Sequence, residues 1–167
     1  MGRLGRLRKS AITKPTADTL CIGAFAADVP PGHGAREFLT LENEDLSVVP
    51  RWRQTLSDAG SSPKGFEVKI DGTLQKFFTV KHAIAYAGTN DKQWLYAGRM
   101  GRRPVRGPQI NIAHTHPDLW MDATRARFQA DPVMRHTLRL TKPAKLLLIG
   151  MMKPTRLFFL ESLRDQL

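Results

Sequence analysis

The stretch Phe66-Glu67-Val68-Lys69-Ile70-Asp71-Gly72-Thr73-Leu74 constrains the chain more than any other. Its first five residues alternate apolar and charged, the period-two pattern of a strand with one buried face. Asp-Gly then offers two residues that tolerate positive φ, as a tight hairpin turn of matching twist requires. Leu74 to Phe78 follows as the partner strand. Thr79 comes next, a residue type suited to an N-cap. Val80, Ala83, Ile84 and Ala87 recur at helical spacing until Gly88 closes the run. A hairpin leading directly into an amphipathic helix is therefore expected.

The remainder holds more helix than strand. Leu20 to Ala27 is a short buried strand, and Pro30 to Gly34 a loop. Glu42-Asn43-Glu44-Asp45, the one acidic run, is expected as a solvated turn, and Trp52 to Leu56 as a short helix before the loop Ala59 to Gly65. Pro117-Asp118 begins a helix with Leu119, Ala123 and Ala126 on one stripe and Trp120 and Phe128 beside it. Asp131-Pro132, a cap followed by proline at the first helical position, starts another, with Val133, Met134, Thr137 and Leu138 inward. Leu146 to Ile149 is a short buried strand or turn. Thr155 is placed as the cap of a last helix carrying Leu157, Leu160, Leu163 and Leu167. No internal repeat is visible. The expected class is α+β: one mainly helical domain over residues 20–167 with a small sheet or hairpin, preceded by a basic arm over 1–19.

Charge bears on partners. Twenty-six Lys and Arg against 15 Asp and Glu leave +11, which favours nucleic acid, a phosphate-rich ligand or an acidic protein surface. Met1 to Lys14 contains Arg3, Arg6, Arg8, Lys9 and Lys14 and no acid, the composition of an arm that orders on an anionic partner. The single Cys21 rules out an internal disulfide framework and the zinc sites that need two or more cysteines, and its expected role is packing. Apolar runs such as Leu20–Ala27 and Leu146–Met152 fall far short of the roughly 20 residues that span a bilayer. No secretory signal is legible. Membrane insertion is not expected, and the location is expected to be intracellular and cytoplasmic.

Two local clusters invite chemistry. In Ile112-Ala113-His114-Thr115-His116-Pro117, imidazoles at i and i+2 on a strand end share one side, which resembles the zinc site of JAMM-type metalloproteases. That site also needs a Ser and an Asp ligand shortly after. Here no Ser follows, Asp122 comes too early and Asp131 too late, so no metal is expected and His114 and His116 line a loop. Arg99, Arg102, Arg103 and Arg106 lie in a loop with Gly98, Gly101 and Pro104, where guanidinium groups are placed to grip phosphates. Aromatic residues are too sparse around them for a single-strand stacking platform.

Several segments, taken in order, resemble the NADAR family, whose name refers to NAD and ADP-ribose. Phe38-Leu39-Thr40-Leu41 is similar to its opening "FLSN", and Thr79-Val80-Lys81-His82-Ala83-Ile84-Ala85-Tyr86 to its "SVEHxxQA" helix after the Asp-Gly hairpin. Ala97 to Arg102 resembles "AKxLGR", Ala123 to Pro132 "ALRAKFxQNP", Leu138 to Leu146 "LLxTGxAxL", and the last helix "LGxLLMxLR". The resemblance implies an α+β scaffold over about Phe38 to Leu167. It also implies N-glycosidase chemistry on ribosylated bases, ADP-ribose or riboflavin intermediates, with the Arg99–Arg106 loop beside the nucleotide.

The departures fall on the family's functional positions. Cleaving an N-glycosidic bond develops a ribosyl cation, so a carboxylate must stabilise it or activate water. The family's Glu before the helix His is Lys81 here, and a cation opposes an oxocarbenium. The family's Lys seven residues on is Gly88, its Trp has no counterpart because Trp120 lies nearer Phe128, and its Trp- and Gly-rich loop shrinks to Met151-Met152-Lys153-Pro154. The expectation is a non-catalytic binding or structural protein, using no cofactor and open in oligomeric state. It would contact acidic protein or nucleic acid through its arm, perform no glycosidase reaction, and suit a larger assembly such as a virion. The alternatives are an N-glycosidase rebuilt on Glu67, His82 or Asp122, and a basic nucleic-acid-binding accessory protein. A buried acid with a raised pKa beside the helix that starts at Thr79 separates the enzyme from the emptied scaffold.

Overall fold

The computed structural model describes residues 17–88, 117–150 and 153–167. The basic arm, the Arg99–Arg106 loop and the His114/His116 pair lie outside them. The elements in chain order are β1 (Thr19–Ile22), α1 (Glu44–Ser47), α2 (Trp52–Thr55), β2 (Phe66–Ile70), β3 (Thr73–Phe77), α3 (Val80–Ala87), α4 (Pro117–Ala130), α5 (Pro132–Leu140), β4 (Lys145–Leu148), β5 (Thr155–Arg156) and α6 (Phe158–Gln166). The class is α+β with helix in excess.

The hairpin forms as its pattern requires. Phe66 pairs with Phe77 and Ile70 with Thr73, and Asp71 and Gly72 take φ of 50° and 80° in the turn. Phe66, Val68 and Ile70 are buried while Glu67 and Lys69 face solvent. Thr79 caps α3, its hydroxyl accepting from the His82 N–H at 3.1 Å. Hairpin, α3 and the Ala123 face of α4 enclose one apolar cluster. A second cluster gathers Leu20, Ile22, Leu46, Trp52, Leu56, Phe128, Leu138 and Leu146 with Leu160 and Leu163 of α6. Helix α4 serves both, through Ala123 and Phe128.

The second sheet has the order β1-β4-β5, with β1 parallel and β5 antiparallel to β4. The other edge of β1 is closed by a single backbone bridge and a carboxylate rather than by a strand. Thr19 and Phe38 exchange backbone bonds at 2.8 and 3.0 Å, after which the carboxylate of Glu37 accepts from the Cys21 N–H at 2.8 Å. Arg53 meets that same carboxylate through Nε at 2.9 Å, and its guanidinium also donates to the carbonyls of Ala27, Val29 and Pro30. Both ionised side chains are buried, and Glu37 is completely so.

Three local expectations are corrected. The acidic run is not a solvated turn: Asn43 caps α1 by accepting from the Leu46 N–H at 2.7 Å, and Leu46 is buried in the core. Thr155 does not cap the last helix. It pairs with Leu148 in β5, so the helix begins only after Leu157, whose N–H is held by the Leu146 carbonyl. Val133 is exposed, because the buried stripe of α5 runs through Met134, Thr137 and Leu138 and on to Thr141, leaving Val133 about a quarter turn from its centre. Among the described residues no helix is long and apolar enough to cross a membrane.

Candidate functional site

The start of α3 is braced by the loop that follows α2. The Lys81 N–H donates to the Asp58 carbonyl at 2.9 Å, and the Ser62 N–H to the Phe78 carbonyl at 2.8 Å. Residues 58–62 thus run along residues 78–81. Helix α4 fixes the same loop from its other side. Arg127 is buried and donates to the carbonyl of Ser57 at 2.7 Å and to that of Thr55. Gly60 passes so close that a side chain there would meet the Thr55 carbonyl and the Arg127 guanidinium.

About two α4 turns before Arg127, the indole N–H of Trp120 donates to Asp58 Oδ2 at 2.9 Å. The carboxylate is half-buried, and burial pushes its pKa up; the Trp120 hydrogen bond and the charges of Arg127 and Lys81 pull the other way. Among the described residues neither cation forms an ion pair with it. Arg127 is drawn down to about 10 by burial, opposed by Asp58 and Asp131, and stays cationic at neutral pH. Trp120 meets the ring of Phe159 edge-on at 5.4 Å, and the Arg125 guanidinium lies 5.4 Å over that ring. Lys81 is exposed and its charge acts on the carboxylate, while half-buried Arg125 touches the aromatic pair through Phe159.

This arrangement offers a carboxylate to accept from hydroxyls or water, aromatic surface for a planar group, and cations for phosphate. The loop also helps wall a cavity of about 310 Å³ with Arg51, Gln54 and Thr55, although Asp58 does not line it.

The residues singled out in the sequence are dispersed. Lys81 borders the site. His82 is buried in the first turn of α3, its ring 6.1 Å from that of Phe77, and burial lowers its pKa so that it is neutral near pH 7. Its Nε2 is buried with no hydrogen-bond partner among the described residues. Glu67 is on the solvent face of β2 opposite Lys76, and Asp122 is exposed on α4 and bonded to Arg125. Neither joins Asp58. Cys21 packs as a buried thiol raised to about 11 by burial, with the Glu37 carboxylate adding to the shift. No group of three His, Cys, Asp or Glu suited to a metal occurs among the described residues.

Asp58 itself carried no sequence signal. It is a lone acid in a loop, and its partner is 62 residues away.

No family model matches the chain, and neither does any curated protein. Among solved structures it is similar to the NMR structure of the E. coli protein YbiA, at 18% identity over 93% of this chain and 89% of that one, with a TM-score of 0.48.

Proposed function

We propose that the surface formed by Asp58, Lys81 and Trp120 binds a phosphate-bearing ribosylated base of the ADP-ribose kind, and that the chain acts by binding rather than by turnover. The observation that carries this is the Trp120–Asp58 hydrogen bond at 2.9 Å, which sets an acceptor and an aromatic face together at the start of α3. Lys81 supports binding over cleavage. Its charge reaches Asp58, so it suits a phosphate and opposes a ribosyl cation forming there. The +11 net charge adds an acidic protein or nucleic acid as a second partner, met through Arg3, Arg6, Arg8, Lys9 and Lys14, as in a component of a virion or another assembly.

One observation favours a second reading. A carboxylate whose pKa is raised by burial lies beside the helix starting at Thr79, the feature that distinguishes an N-glycosidase from an emptied scaffold. In that reading Asp58, not Glu67 or Asp122, is the acid.

Isothermal titration with ADP-ribose at low salt, coupled to chromatography of the products, tests both. The binding reading expects saturable binding without products, weakened at least about fivefold by Trp120→Ala, since stacking on an aromatic contributes about 1–3 kcal/mol per base. It also expects weaker binding by Lys81→Glu. Products formed by the parent and lost in Asp58→Asn establish the enzyme instead. Binding indifferent to Trp120 removes the ligand from this surface.

A further inference from the structure

A cavity of about 230 Å³ opens beside the β1 edge, walled by Cys21, Ala26, Ala27, Ala35 and Ile149 over the Glu37–Arg53 pair. Its polar floor is already satisfied. One Glu37 oxygen takes the N–H groups of Gly34 and Arg53, and the other those of Cys21 and Arg53. The guanidinium spends its donors on that carboxylate and on three carbonyls. With the Glu37 and Arg53 groups spent on one another and on the backbone, Arg36 is the one charged lining residue left over, and the space beside the buried pair suits an apolar occupant. At its rim stands Phe25, fully exposed, the most exposed large apolar side chain among the described residues.

We propose that this face closes a two-fold dimer in which Phe25 of each copy enters the cavity of the other. A surface carrying both a projecting ring and a hole is self-complementary, and a two-fold axis satisfies both contacts at once. A dry cavity of about 150 Å³ holds a benzene ring, so this one has room for a phenyl side chain. Charge on the same loop is also self-complementary. Exposed Asp28 and Arg36 form no ion pair among the described residues, so the same loop offers a second copy one charge of each sign. Because each copy carries +11, added salt screens their repulsion and strengthens the dimer, the reverse of its effect on an anionic partner.

Sedimentation velocity across a concentration series, at low and high salt, reads the association. The parent is expected to pass from monomer to dimer, with a midpoint that falls as salt rises. Phe25→Ala, which removes the ring, and Ala35→Phe, which plugs the hole from an exposed position, should each raise that midpoint at least about tenfold. Alkylation of Cys21, the single thiol and part of the cavity wall, should slow with concentration in the parent and not in Phe25→Ala. A parent monomeric throughout overturns the proposal. So does a dimer that both variants retain, or Cys21 protection that ignores Phe25.

Discussion

The Trp120 indole and the Asp58 carboxylate, 62 residues apart, are joined at 2.9 Å where the loop after α2 meets the first turn of α3. This bond ties α4 to the loop and holds a half-buried acid beside the exposed Lys81.

The sign of the Asp58 shift makes a stability prediction. Burial raises its folded pKa above the ordinary carboxylate value, so the folded state binds that proton more tightly than the unfolded chain. The resulting stabilisation is complete below the ordinary value and is lost as pH rises through the raised one. Asp58→Asn keeps an acceptor for Trp120 and has no charge to bury. Thermal melting should therefore place it above the parent at pH 7, with the gap closing in acid. A variant that melts lower at pH 7 contradicts the assignment.

Glu37 and Arg53 form a pair in which, among the described residues, neither side chain makes a second ion pair. Removing one partner leaves the other buried and uncompensated, an effect of about 3–5 kcal/mol. Urea denaturation of Glu37→Leu and of Arg53→Leu should show losses of that size. The double variant should lose less than the two singles combined. Additive losses would mean that the two groups act separately.

Gly60 and Gly72 need to be glycine for different reasons. In the hairpin turn Gly72 has φ of 80° and open space around it, so Gly72→Ala meets only backbone strain, about 1 kcal/mol. At Gly60 a methyl group meets the Thr55 carbonyl and Arg127, which brace the Asp58 loop. Gly60→Ala should be the more destabilising of the two, and it alone should weaken ADP-ribose binding. Calorimetric melting and the ligand titration read the two effects.

The excess charge predicts binding to duplex DNA that weakens steeply between about 50 and 200 mM salt, by roughly 10³ for six phosphate contacts. Deleting Met1 to Lys14, which removes five cations, should flatten that dependence. A flat dependence in the full chain rules out phosphate-driven binding.

Much of the fold was legible because its signals are local. Asp71-Gly72 dictates a turn, Thr79 lies directly before a helical stripe, and Asp131 caps a helix with proline at its first position, accepting from the N–H groups of Val133 and Met134. Thr155 misled because Leu148 of β4 claims its backbone, and although a strand was expected at Leu146 to Ile149, nothing in the sequence says that the two segments pair. The site was less legible for the same reason. Lys81 stood out through a resemblance, whereas Asp58 gains its surroundings only when α4 arrives from far along the chain. Glu37 and Arg53, 16 residues apart and on no shared helix or strand, were equally silent.

The indole N–H signals in a nitrogen-15 correlation spectrum test the central claim most directly. The chain has three tryptophans, so three such signals are expected, and Trp120→Phe identifies one of them. Titrating ADP-ribose should shift the Trp120 signal saturably, while that of Trp52, buried in the other cluster, stays in place. A Trp120 signal unmoved by saturating ligand, or one that moves no more than that of Trp52, would contradict a binding site at Asp58.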